Sequence, residues 1–501
     1  MVKPKVFLTG ASGSMGKMAF QELLERKEEF DIVLLLLPNK AIISEFSKFA
    51  GGKNIHVGER AVVEHDGLKI VYGDLTNPDD VLEAVNGCDF VLHPAALIPP
   101  AADHNPELAE KVNVGGTKNI ITAIKKQPNH GDGVKLVYIC SVAIYGDRLP
   151  PFHRIRLGDP LIPSVYDFYA TTKLKAERAV IDSDLKYWVS LRQTYIAIPN
   201  SPSLVNPILF HQPLNTHIEL ITNQDAGYGL VQCLDAPDDF WCKIYNMGGG
   251  ESCRFIFKDY IQDMMKLMGV GDYRKIMERK WFCLRNFHCG WYEDSHILNG
   301  YLHHQRQSLE DHYKQVKEAI PEYYKLGKIF PKSVVKKMMK RMAKSKYGPL
   351  NWVYSNNQGR ISAFFGSKEK WEAIPDWDTD TSNSNEESYL LDHGYDETKA
   401  DEDLTIDDMR QAAKFRGGEC LSGKLVDMKT KLKWKCAFGH LFEGSPTLIL
   451  RGGHWCPECA PPPWYYDKIV KKNLFFAQVY YSNHYKDENN YYDEKCYKDI
   501  L

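Results

Sequence analysis

The chain has 501 residues, too many for one ordinary hydrophobic core, so two or more domains are expected. Its 44% hydrophobic and 26% charged residues are typical of a globular protein, and the net charge of −2 gives no reason to expect nucleic acid or a membrane as partner of the whole chain. No apolar run is long enough to span a bilayer, and the 12 cysteines are mostly scattered, which favours reduced thiols and a cytoplasmic location.

The first segment that points to chemistry is a strand, a glycine loop and a helix. A short buried strand is predicted over residues 5–9, the sequence TGASGSMG occupies residues 9–16, and a helical pattern covers residues 15–29. Glycines allow the backbone to approach a pyrophosphate closely, and a helix N-terminus offers free N–H groups. An ordinary strand-to-helix turn is the alternative. The predicted dinucleotide-binding residues here are Gly10, Ser12, Gly13, Ser14, Met15 and Gly16.

The second predicted strand, residues 31–37, bears on the choice of cofactor. A site that prefers NAD usually has an acidic residue after this strand, which holds the ribose hydroxyls. The sequence here is Leu37-Pro38-Asn39-Lys40, without an acid. Asn39 and Lys40 could face a 2′-phosphate instead, which favours NADP. A solvated loop lysine is the alternative for Lys40, and NAD is the alternative cofactor.

A tyrosine and a lysine four residues apart, Tyr169 and Lys173, lie in the sequence YATTK. On a helix they share one face, about one turn apart. A nearby ammonium favours the phenolate, so we expect Lys173 to lower the pKa of Tyr169 toward the working pH. Such a tyrosine can exchange a proton with an oxygen whose carbon gains or loses hydride. Tyr166 is the competing tyrosine, but only Tyr169 has a lysine four residues later.

Together with the glycine loop, this pair resembles the extended short-chain dehydrogenase/reductase (NAD-dependent epimerase/dehydratase-like) family. The resemblance covers roughly the first half of the chain, and its motifs come in the family's order. It implies an α/β fold, a Rossmann-like doubly wound parallel sheet with a small substrate lobe. It also implies an NAD(P)-dependent enzyme in which Tyr169 exchanges the proton, while Lys173 tunes the tyrosine and holds the cofactor's ribose.

Two more residues take catalytic roles through this resemblance. Ser141 stands four residues before Tyr145-Gly146, where the family has a Ser or Thr that bonds the substrate oxygen. A hydroxyl can both donate and accept, which suits a carbonyl that becomes an alcohol. Asn113, in VNVGGT, would hold a water that relays protons to Lys173. An ordinary polar helix residue is the alternative for Asn113.

Two further motifs resemble the family's cofactor site. Asp74, in Gly-Asp-Leu at residues 73–75, resembles the residue that bonds the adenine amine, with Leu75 beside it. The sequence FVLHPAA at residues 90–96 resembles the strand and small-residue turn next to the cofactor, where Ala95 and Ala96 leave room for the nucleotide.

The substrate class is open at this level. Family members that act on nucleotide sugars usually have a longer loop with Tyr-Gly-Pro after the sixth strand, whereas this chain has Ile198-Pro-Asn-Ser-Pro202. This departure counts against a nucleotide sugar. The stretch from Trp281 to Tyr313 is rich in aromatics and histidines, which favours the wall of a pocket for a bulky, apolar molecule; plain packing is the alternative.

The C-terminal third differs in composition. Residues 325–346 are basic with an apolar stripe, which indicates a helix docked on the protein itself; contact with a membrane or nucleic acid is the alternative. Residues 372–403 are strongly acidic, as expected of a linker.

Two close pairs of metal-binding residues follow, in CAFGH at 436–440 and CPEC at 456–459. Cys436, His440, Cys456 and Cys459 match a tetrahedral Zn²⁺ site. The segment from 417 to 459 resembles zinc-ribbon or treble-clef modules, some of which bind nucleic acid. Because the protein fills all four positions, we expect a structural zinc.

These observations predict an NAD(P)-dependent oxidoreductase that transfers hydride to or from a carbonyl or hydroxyl carbon of a bulky small molecule. One alternative is an epimerase or dehydratase with internal cofactor recycling, and another is a nucleotide-sensing binding protein that uses its zinc module. Whether the chain forms a homodimer through a helix pair that includes the Tyr169 helix is left open. The predicted segments are a Rossmann domain with substrate-lobe elements at 1–275, a mostly helical cover at 276–370, an acidic linker at 371–404, a zinc-binding module at 405–465 and a Tyr-rich tail at 466–501.

Overall fold

The computed structural model describes residues 3–199, 206–320, 331–377 and 387–500. The strands, in chain order, are β1 (Lys5–Thr9), β2 (Asp31–Leu36), β3 (Ala61–His65), β4 (Leu68–Tyr72), β5 (Phe90–His93), β6 (Lys135–Ser141), β7 (Arg154–Ile155), β8 (Tyr187–Gln193), β9 (Tyr195–Ala197), β10 (His217–Thr222), β11 (Lys243–Met247), β12 (Arg254–Ile256), β13 (Trp291–Tyr292), β14 (Glu419–Cys420), β15 (Leu432–Lys435) and β16 (Leu441–Gly444).

The α-helices, in chain order, are α1 (Ser14–Glu25), α2 (Lys40–Phe46), α3 (Pro78–Val85), α4 (Ala101–His104), α5 (Pro106–Ala109), α6 (Gly116–Lys125), α7 (Phe168–Ile181), α8 (Asn223–Gln232), α9 (Phe257–Leu267), α10 (Ser295–Leu302), α11 (Leu309–Ala319), α12 (Lys332–Ala343), α13 (Pro349–Tyr354), α14 (Gln358–Phe365), α15 (Lys368–Glu372), α16 (Ile406–Phe415), α17 (Tyr466–Ile469) and α18 (Leu474–Tyr480). A π-helical turn, Glu110–Gly115, joins α5 to α6.

An eight-stranded sheet in the order β11-β8-β6-β5-β1-β2-β4-β3 forms the centre of the N-terminal part. Its neighbouring strands are parallel, apart from the antiparallel pair β3 and β4. The strand order reverses between β1 and β5, and ligands of open α/β sheets bind at the carboxyl ends of strands at such a point. The predicted Rossmann-like parallel sheet is therefore confirmed.

Helices cover both faces of this sheet, because its strands alternate between two apolar layers. Val6 and Leu8 of β1 pack in one cluster with α1 and α8. Phe7 between them packs in the other cluster with α3, α6 and α7. Residues 32–36 of β2 are apolar without interruption, as expected of a strand buried on both faces. This layering places α1 on one face of the sheet and α7 on the other.

The C-terminal part packs on the outer side of α7. Its three-stranded sheet, β14-β15-β16, and helices α16 to α18 belong to the same continuous apolar core as the α3, α6 and α7 layer. Trp464 meets the Phe168 ring edge-on at 5.0 Å, and its indole N–H donates to the Pro163 carbonyl at 3.1 Å. Helix α7 therefore lies between the parallel sheet and the C-terminal part of the chain.

The predicted basic helix is present as α12, where Val335, Met339 and Met342 pack against the core. Lys325 and Lys328 lie outside the described residues.

The predicted acidic linker is described except for residues 378–386. Within it, the His393 imidazole is buried and bonds Asp159 at 2.9 Å. The segment boundaries stay predictions.

Among the described ranges, no helix is both long and apolar enough to cross a membrane.

Candidate functional site

The glycine loop forms a cradle at the carboxyl end of β1. Gly10 has φ +63°, and a Cβ there would lie 3.0 Å from the Ala95 Cα. A Cβ on Gly16 would lie 2.0 Å from the Gly10 carbonyl oxygen, so only glycine lets α1 start this close to the loop. Gly13 is the N-cap of α1 and has no side chain to cap it, while Ser12 is exposed. The first N–H groups of α1 are thus available to an anion.

The turn after β5 lies beside this loop. The Ala95 N–H donates to the Thr9 hydroxyl at 3.1 Å, and Ala96 follows it, half-buried. His93 bonds the hydroxyls of Thr9 at 2.9 Å and Thr117 at 3.0 Å. Burial, with a smaller contribution from the Lys173 charge, lowers the pKa of His93 to about 3. His93 is therefore a neutral packing residue that joins β1, β5 and α6.

The other predicted cofactor residues follow β4 and β2. Asp74 accepts from the Thr76 N–H at 2.8 Å. Leu75 packs closely against Gly116: a Cβ added to Gly116 would lie only 2.6 Å from the Leu75 Cγ. The Asn39 side chain caps α2 by accepting from the Ile42 N–H at 3.0 Å, and Lys40 is exposed as the first residue of α2. Since β1, β2, β4 and β5 are parallel, all these residues lie at the same edge of the sheet as the glycine loop.

Ser141, Tyr169 and Lys173 meet where β6 ends beside α7. Ser141 is the last residue of β6, and hydrogen bonding between its side chain and Tyr169 lowers the pKa of the phenol. Asp167 caps α7 by accepting from the Ala170 N–H at 2.8 Å, which fixes the first turn that carries Tyr169. The Lys173 ammonium lies 4.5 Å from the centre of the Tyr138 ring.

The prediction that Lys173 lowers the pKa of Tyr169 is wrong. Burial raises the pKa of Tyr169 well above its ordinary value, because a phenolate would lose its hydration there, and the bond to Ser141 offsets only part of this. Burial also lowers the pKa of Lys173 to about 8, against the opposing charges of Cys140 and Glu177. At neutral pH Tyr169 is a phenol, and Lys173 is mostly charged.

Asn113 lies in the π-helical turn and joins two parts of the site. Its side chain accepts from the Leu97 N–H at 2.7 Å and donates to the Leu97 carbonyl at 3.0 Å. It also donates to the Thr172 hydroxyl at 2.8 Å. These bonds hold the loop after β5 against α7, next to Lys173. The predicted water relay through Asn113 stays a prediction.

A cavity of about 300 Å³ lies at the N-terminal end of α7. Its walls come from the loop after β5, the segment before α7, the aromatic stretch, helix α14 and the chain near residue 500. The lining residues are Pro99, Pro100, Asp103, His104, Ser164, Val165, Tyr166, Asp167, Asn206, Pro207, Ile208, His211, Asn286, Phe287, His288, Tyr347, Arg360, Phe364, Tyr497 and Ile500.

Only part of the stretch from Trp281 to Tyr313 forms a cavity wall. Asn286, Phe287 and His288 line the cavity, whereas Trp281 and Tyr292 are buried in the core. Residues 198–202, where the sequence differs from the Tyr-Gly-Pro loop of family members that act on nucleotide sugars, fall mostly outside the described residues, which resume at Asn206.

A buried ion pair ties α7 to β8 and to the C-terminal part. Glu177 accepts from the Arg192 guanidinium at 2.8 and 3.0 Å, from the Ser190 hydroxyl at 2.7 Å and from His454 at 2.8 Å. The side chains of Glu177 and Arg192 are both 0% exposed. Burial alone would raise the pKa of Glu177, but the Arg192 charge and the bonds from His454 and Arg192 reverse this and hold the pKa well below its ordinary value.

The outer face of α7 is covered by the same part of the chain. Arg178 donates to the carbonyls of Trp455 at 2.9 Å and Glu443 at 2.8 Å. A partner's helix cannot pack on this face while these contacts exist. The homodimer itself stays a prediction.

The four predicted metal ligands come together at the β15–β16 hairpin. Their ligand atoms all lie within 4.8 Å of one another. The Sγ atoms of Cys436 and Cys459 are 3.8 Å apart, and His440 Nδ1 lies 3.3 Å from the Cys459 Sγ and 3.5 Å from the Cys456 Sγ. A tetrahedron with metal–sulfur distances of about 2.3 Å has sulfur–sulfur edges of about 3.8 Å. The donor set and its spacing therefore fit a tetrahedral metal ion.

The fold and these side chains define a Rossmann-type α/β protein with a Ser–Tyr–Lys set at the carboxyl edge of its sheet. Residues 6–200 match the model of the NAD dependent epimerase/dehydratase family. Over these residues, which are less than half of its length, the chain is similar to that family.

The curated relatives are oxidoreductases. The 2-alkyl-3-oxoalkanoate reductase of Shewanella oneidensis is 28% identical over 44% of this chain and 51% of its own. The sterol-4-alpha-carboxylate 3-dehydrogenase, decarboxylating, of Mus musculus is 29% identical over 41% of this chain and 49% of its own. The 3-beta-hydroxysteroid dehydrogenase of Mycolicibacterium neoaurum is 30% identical over 35% and 42%, respectively. The chain spans about half the length of the curated relatives it matches.

Solved structures show a distant likeness. The UDP-glucuronic acid 4-epimerase from Bacillus cereus in complex with NAD has a TM-score of 0.46 and 20% identity, over 64% of this chain and 99% of its own. The dTDP-glucose 4,6-dehydratase from Bacillus anthracis in complex with NAD has a TM-score of 0.48 and 15% identity, over 63% and 96%.

Sequence reasoning missed three features of the site. It predicted no function for the residues after Trp464, yet Tyr497 and Ile500 line the cavity. It also missed Arg360 and the contact between His454 and Glu177. No local spacing could have revealed the last contact, since 277 residues separate its partners.

Replacing Glu177 should show how much α7 depends on its buried ion pair. We expect Glu177→Gln to lower the free energy of unfolding by about 3 kcal/mol or more, because it leaves the Arg192 charge buried without a partner. The measurement is denaturant unfolding followed by tryptophan fluorescence. The control is Glu110→Gln, which breaks the exposed pair with Lys175 and should cost less than about 1 kcal/mol. Equal effects of the two changes would mean that α7 does not depend on the buried pair.

Proposed function

We propose that this chain is an NAD(P)-dependent oxidoreductase that transfers hydride between a nicotinamide and a carbonyl or hydroxyl carbon of a bulky small molecule. The observation that carries the proposal is the placement of Tyr169 beside Ser141, whose side chain lowers the pKa of the phenol, with Lys173 one turn further along α7. This set lies at the same sheet edge as the glycine loop, which supports a reaction beside a bound dinucleotide.

In a carbonyl reduction, Ser141, Tyr169 and Lys173 would each have a different role. Ser141 donates to the carbonyl oxygen and orients it. A nicotinamide held by the glycine loop would supply the hydride for the carbon. Tyr169 gives its phenolic proton to the oxygen, so that the carbonyl becomes an alcohol, and solvent later returns a proton to the tyrosinate. Lys173 stabilises that tyrosinate and holds the ribose. Because burial raises the pKa of Tyr169, the phenol is the form present at neutral pH, as a proton donor requires.

The names of the relatives support a substrate that is both apolar and acidic. The Shewanella oneidensis relative is named for a 2-alkyl-3-oxoalkanoate, and the Mus musculus relative for a sterol that carries a 4-alpha-carboxylate. We propose a substrate of this general kind, with a long or polycyclic hydrocarbon body. The apolar lining of the 300 Å³ cavity, which includes Val165, Ile208 and Phe364, supports this choice.

Epimerisation or dehydration with internal cofactor recycling is the alternative for the same residues, and a nucleotide-sensing binding protein is the alternative from another class. Net consumption of NAD(P)H during turnover would exclude internal recycling. Binding of the dinucleotide without dependence of any activity on Tyr169 would favour the sensor.

Replacing Tyr169 tests the catalytic proposal. Tyr169→Phe removes the proton donor and should lower kcat by about 10²–10⁴-fold with little change in dinucleotide affinity. Tyr166→Phe removes the competing hydroxyl and should lower kcat by less than about tenfold. Both variants are assayed by nicotinamide absorbance with a panel of apolar ketones. Full activity of Tyr169→Phe would end the proposal.

The proposed cofactor is NADP, with Lys40 as the residue that contacts the 2′-phosphate. Asn39 already caps α2 with its side chain, so the exposed Lys40 is the better candidate. We expect Lys40→Met to weaken NADPH binding about tenfold, the effect of one charged hydrogen bond, and to leave NADH binding unchanged. Titration followed by nicotinamide fluorescence measures both, with Lys48→Met as the exposed-lysine control. Tighter binding of NADH than of NADPH by the wild type would reverse the cofactor assignment.

We also propose that Cys436, His440, Cys456 and Cys459 hold a structural zinc ion, since four protein donors leave no open position. Elemental analysis should find about one zinc per chain. Cys459→Ser should lose the metal and lower the unfolding temperature. Cys420→Ser replaces a buried cysteine of β14 outside the cluster and should keep the zinc. Metal-free wild-type protein of unchanged stability would contradict the structural role.

A further inference from the structure

We propose that the substrate carries a carboxylate, and that this carboxylate binds Arg360 in the cavity by displacing the side chain of Asp499. The inference deepens the proposed function and rests on it, because it names a group of the molecule that the site reduces or oxidises. It assigns Arg360 as the specificity residue and Asp499 as its internal competitor.

Arg360 is built into the cavity wall. It lies on α14 and is only 6% exposed. Its guanidinium carbon is 4.1 Å from the centre of the Tyr166 ring and 5.1 Å from that of Trp352. Stacking on two aromatic faces holds a guanidinium plane in one orientation and limits its hydration. Such a planar, oriented cation is the group that suits a carboxylate.

The described residues satisfy only one nitrogen of this guanidinium. The Arg360 Nε donates to both carboxylate oxygens of Asp499, at 3.0 and 3.2 Å. Its two terminal nitrogens make no hydrogen bond to any residue in the described ranges. A guanidinium presents five N–H donors in a fork, so a carboxylate that replaces Asp499 can also bond the two terminal nitrogens, which Asp499 does not use.

Asp499 occupies a ready-made carboxylate site. Besides Arg360, its oxygens accept from the Tyr166 hydroxyl at 3.0 Å and the Asn357 amide at 3.1 Å. Its side chain is 25% exposed, and its neighbours Tyr497 and Ile500 line the cavity. Three donors of different types therefore converge on one carboxylate at the cavity wall, in a place that solvent reaches.

The remaining lining groups leave Arg360 as the dominant cation. Burial lowers the pKa of His211 to about 4, and it also lowers the pKa of His104. His288 is paired with Asp167 at 2.9 Å. Burial and the Asp167 charge raise the pKa of Asp103 well above its ordinary value. Among the described lining residues, no other Arg or Lys occurs, so an anion that enters the cavity has one cation to bind.

Tyr166 connects this site to the reacting groups. It lies three residues before Tyr169 and adopts φ +69°, a left-handed conformation that is unusual for a bulky side chain and is found at functional sites. Its ring faces Arg360 and its hydroxyl bonds Asp499. The carboxylate site and the start of the Tyr169 helix therefore share one wall of the cavity.

The test compares a carboxylic acid with its neutral ester. Binding of 3-hydroxydodecanoate and of its methyl ester to the full chain is measured by isothermal titration calorimetry, so that the result does not depend on turnover. The wild type should bind the acid at least about tenfold more tightly than the ester, the effect of a charged hydrogen bond. Arg360→Met should remove this preference and leave ester binding within a few-fold.

Asp499→Asn keeps Arg360 in place and guards against a folding defect in the first variant. It removes the competing charge and should strengthen acid binding several-fold, with no effect on the ester. Equal binding of acid and ester by the wild type, binding of neither, or a preference that survives Arg360→Met overturns the inference. Hydride transfer with the ester but not with the acid would overturn the carboxylate inference and leave the proposed function intact. Failure of the protein to bind any nicotinamide would contradict the proposed function instead.

Discussion

The buried pair of Glu177 and Arg192 is the constraint on which the arrangement of the site depends. A buried carboxylate without partners costs several kcal/mol, so its neighbours must be in place when the chain is folded. Arg192 comes from β8 and His454 from the C-terminal part. Glu177 lies one turn after Lys173 and two turns after Tyr169 on α7. The position of Tyr169, the proposed proton donor, relative to the sheet is therefore set by a contact that spans the chain.

The proposed metal ligands lie close to contacts on the outer side of the same helix. His454 stands two residues before Cys456, and Arg178 bonds the carbonyl of the intervening Trp455. A metal ion that fixes Cys456 and Cys459 also fixes this segment, because short loops between ligands have little freedom left. The C-terminal part therefore packs against α7 through Arg178 and His454, beside the four proposed metal donors.

The sequence predicts what is local in this protein. The glycine loop, the Tyr169/Lys173 spacing and the Cys/His pairs each lie within a few residues, and their physical requirements leave a mark on the residues themselves. The pKa of Tyr169 leaves no such mark, because its burial depends on everything packed around α7. The pairing of Arg360 with Asp499, 139 residues apart, cannot be predicted from the sequence either, because the sequence does not distinguish a buried charge from an exposed one.

The electrostatics of the site decide the protonation state of Tyr169 and Lys173. Tyr169 keeps its proton at neutral pH because burial disfavours the phenolate, while Lys173, whose pKa is about 8, keeps most of its charge there. A phenol can donate a proton to a developing alkoxide, whereas only the phenolate could take one from an alcohol. As the pH rises through 8, Lys173 loses its charge and the stabilisation of the tyrosinate with it. Burial therefore keeps Tyr169 in the protonated form that the proposed reduction needs at neutral pH.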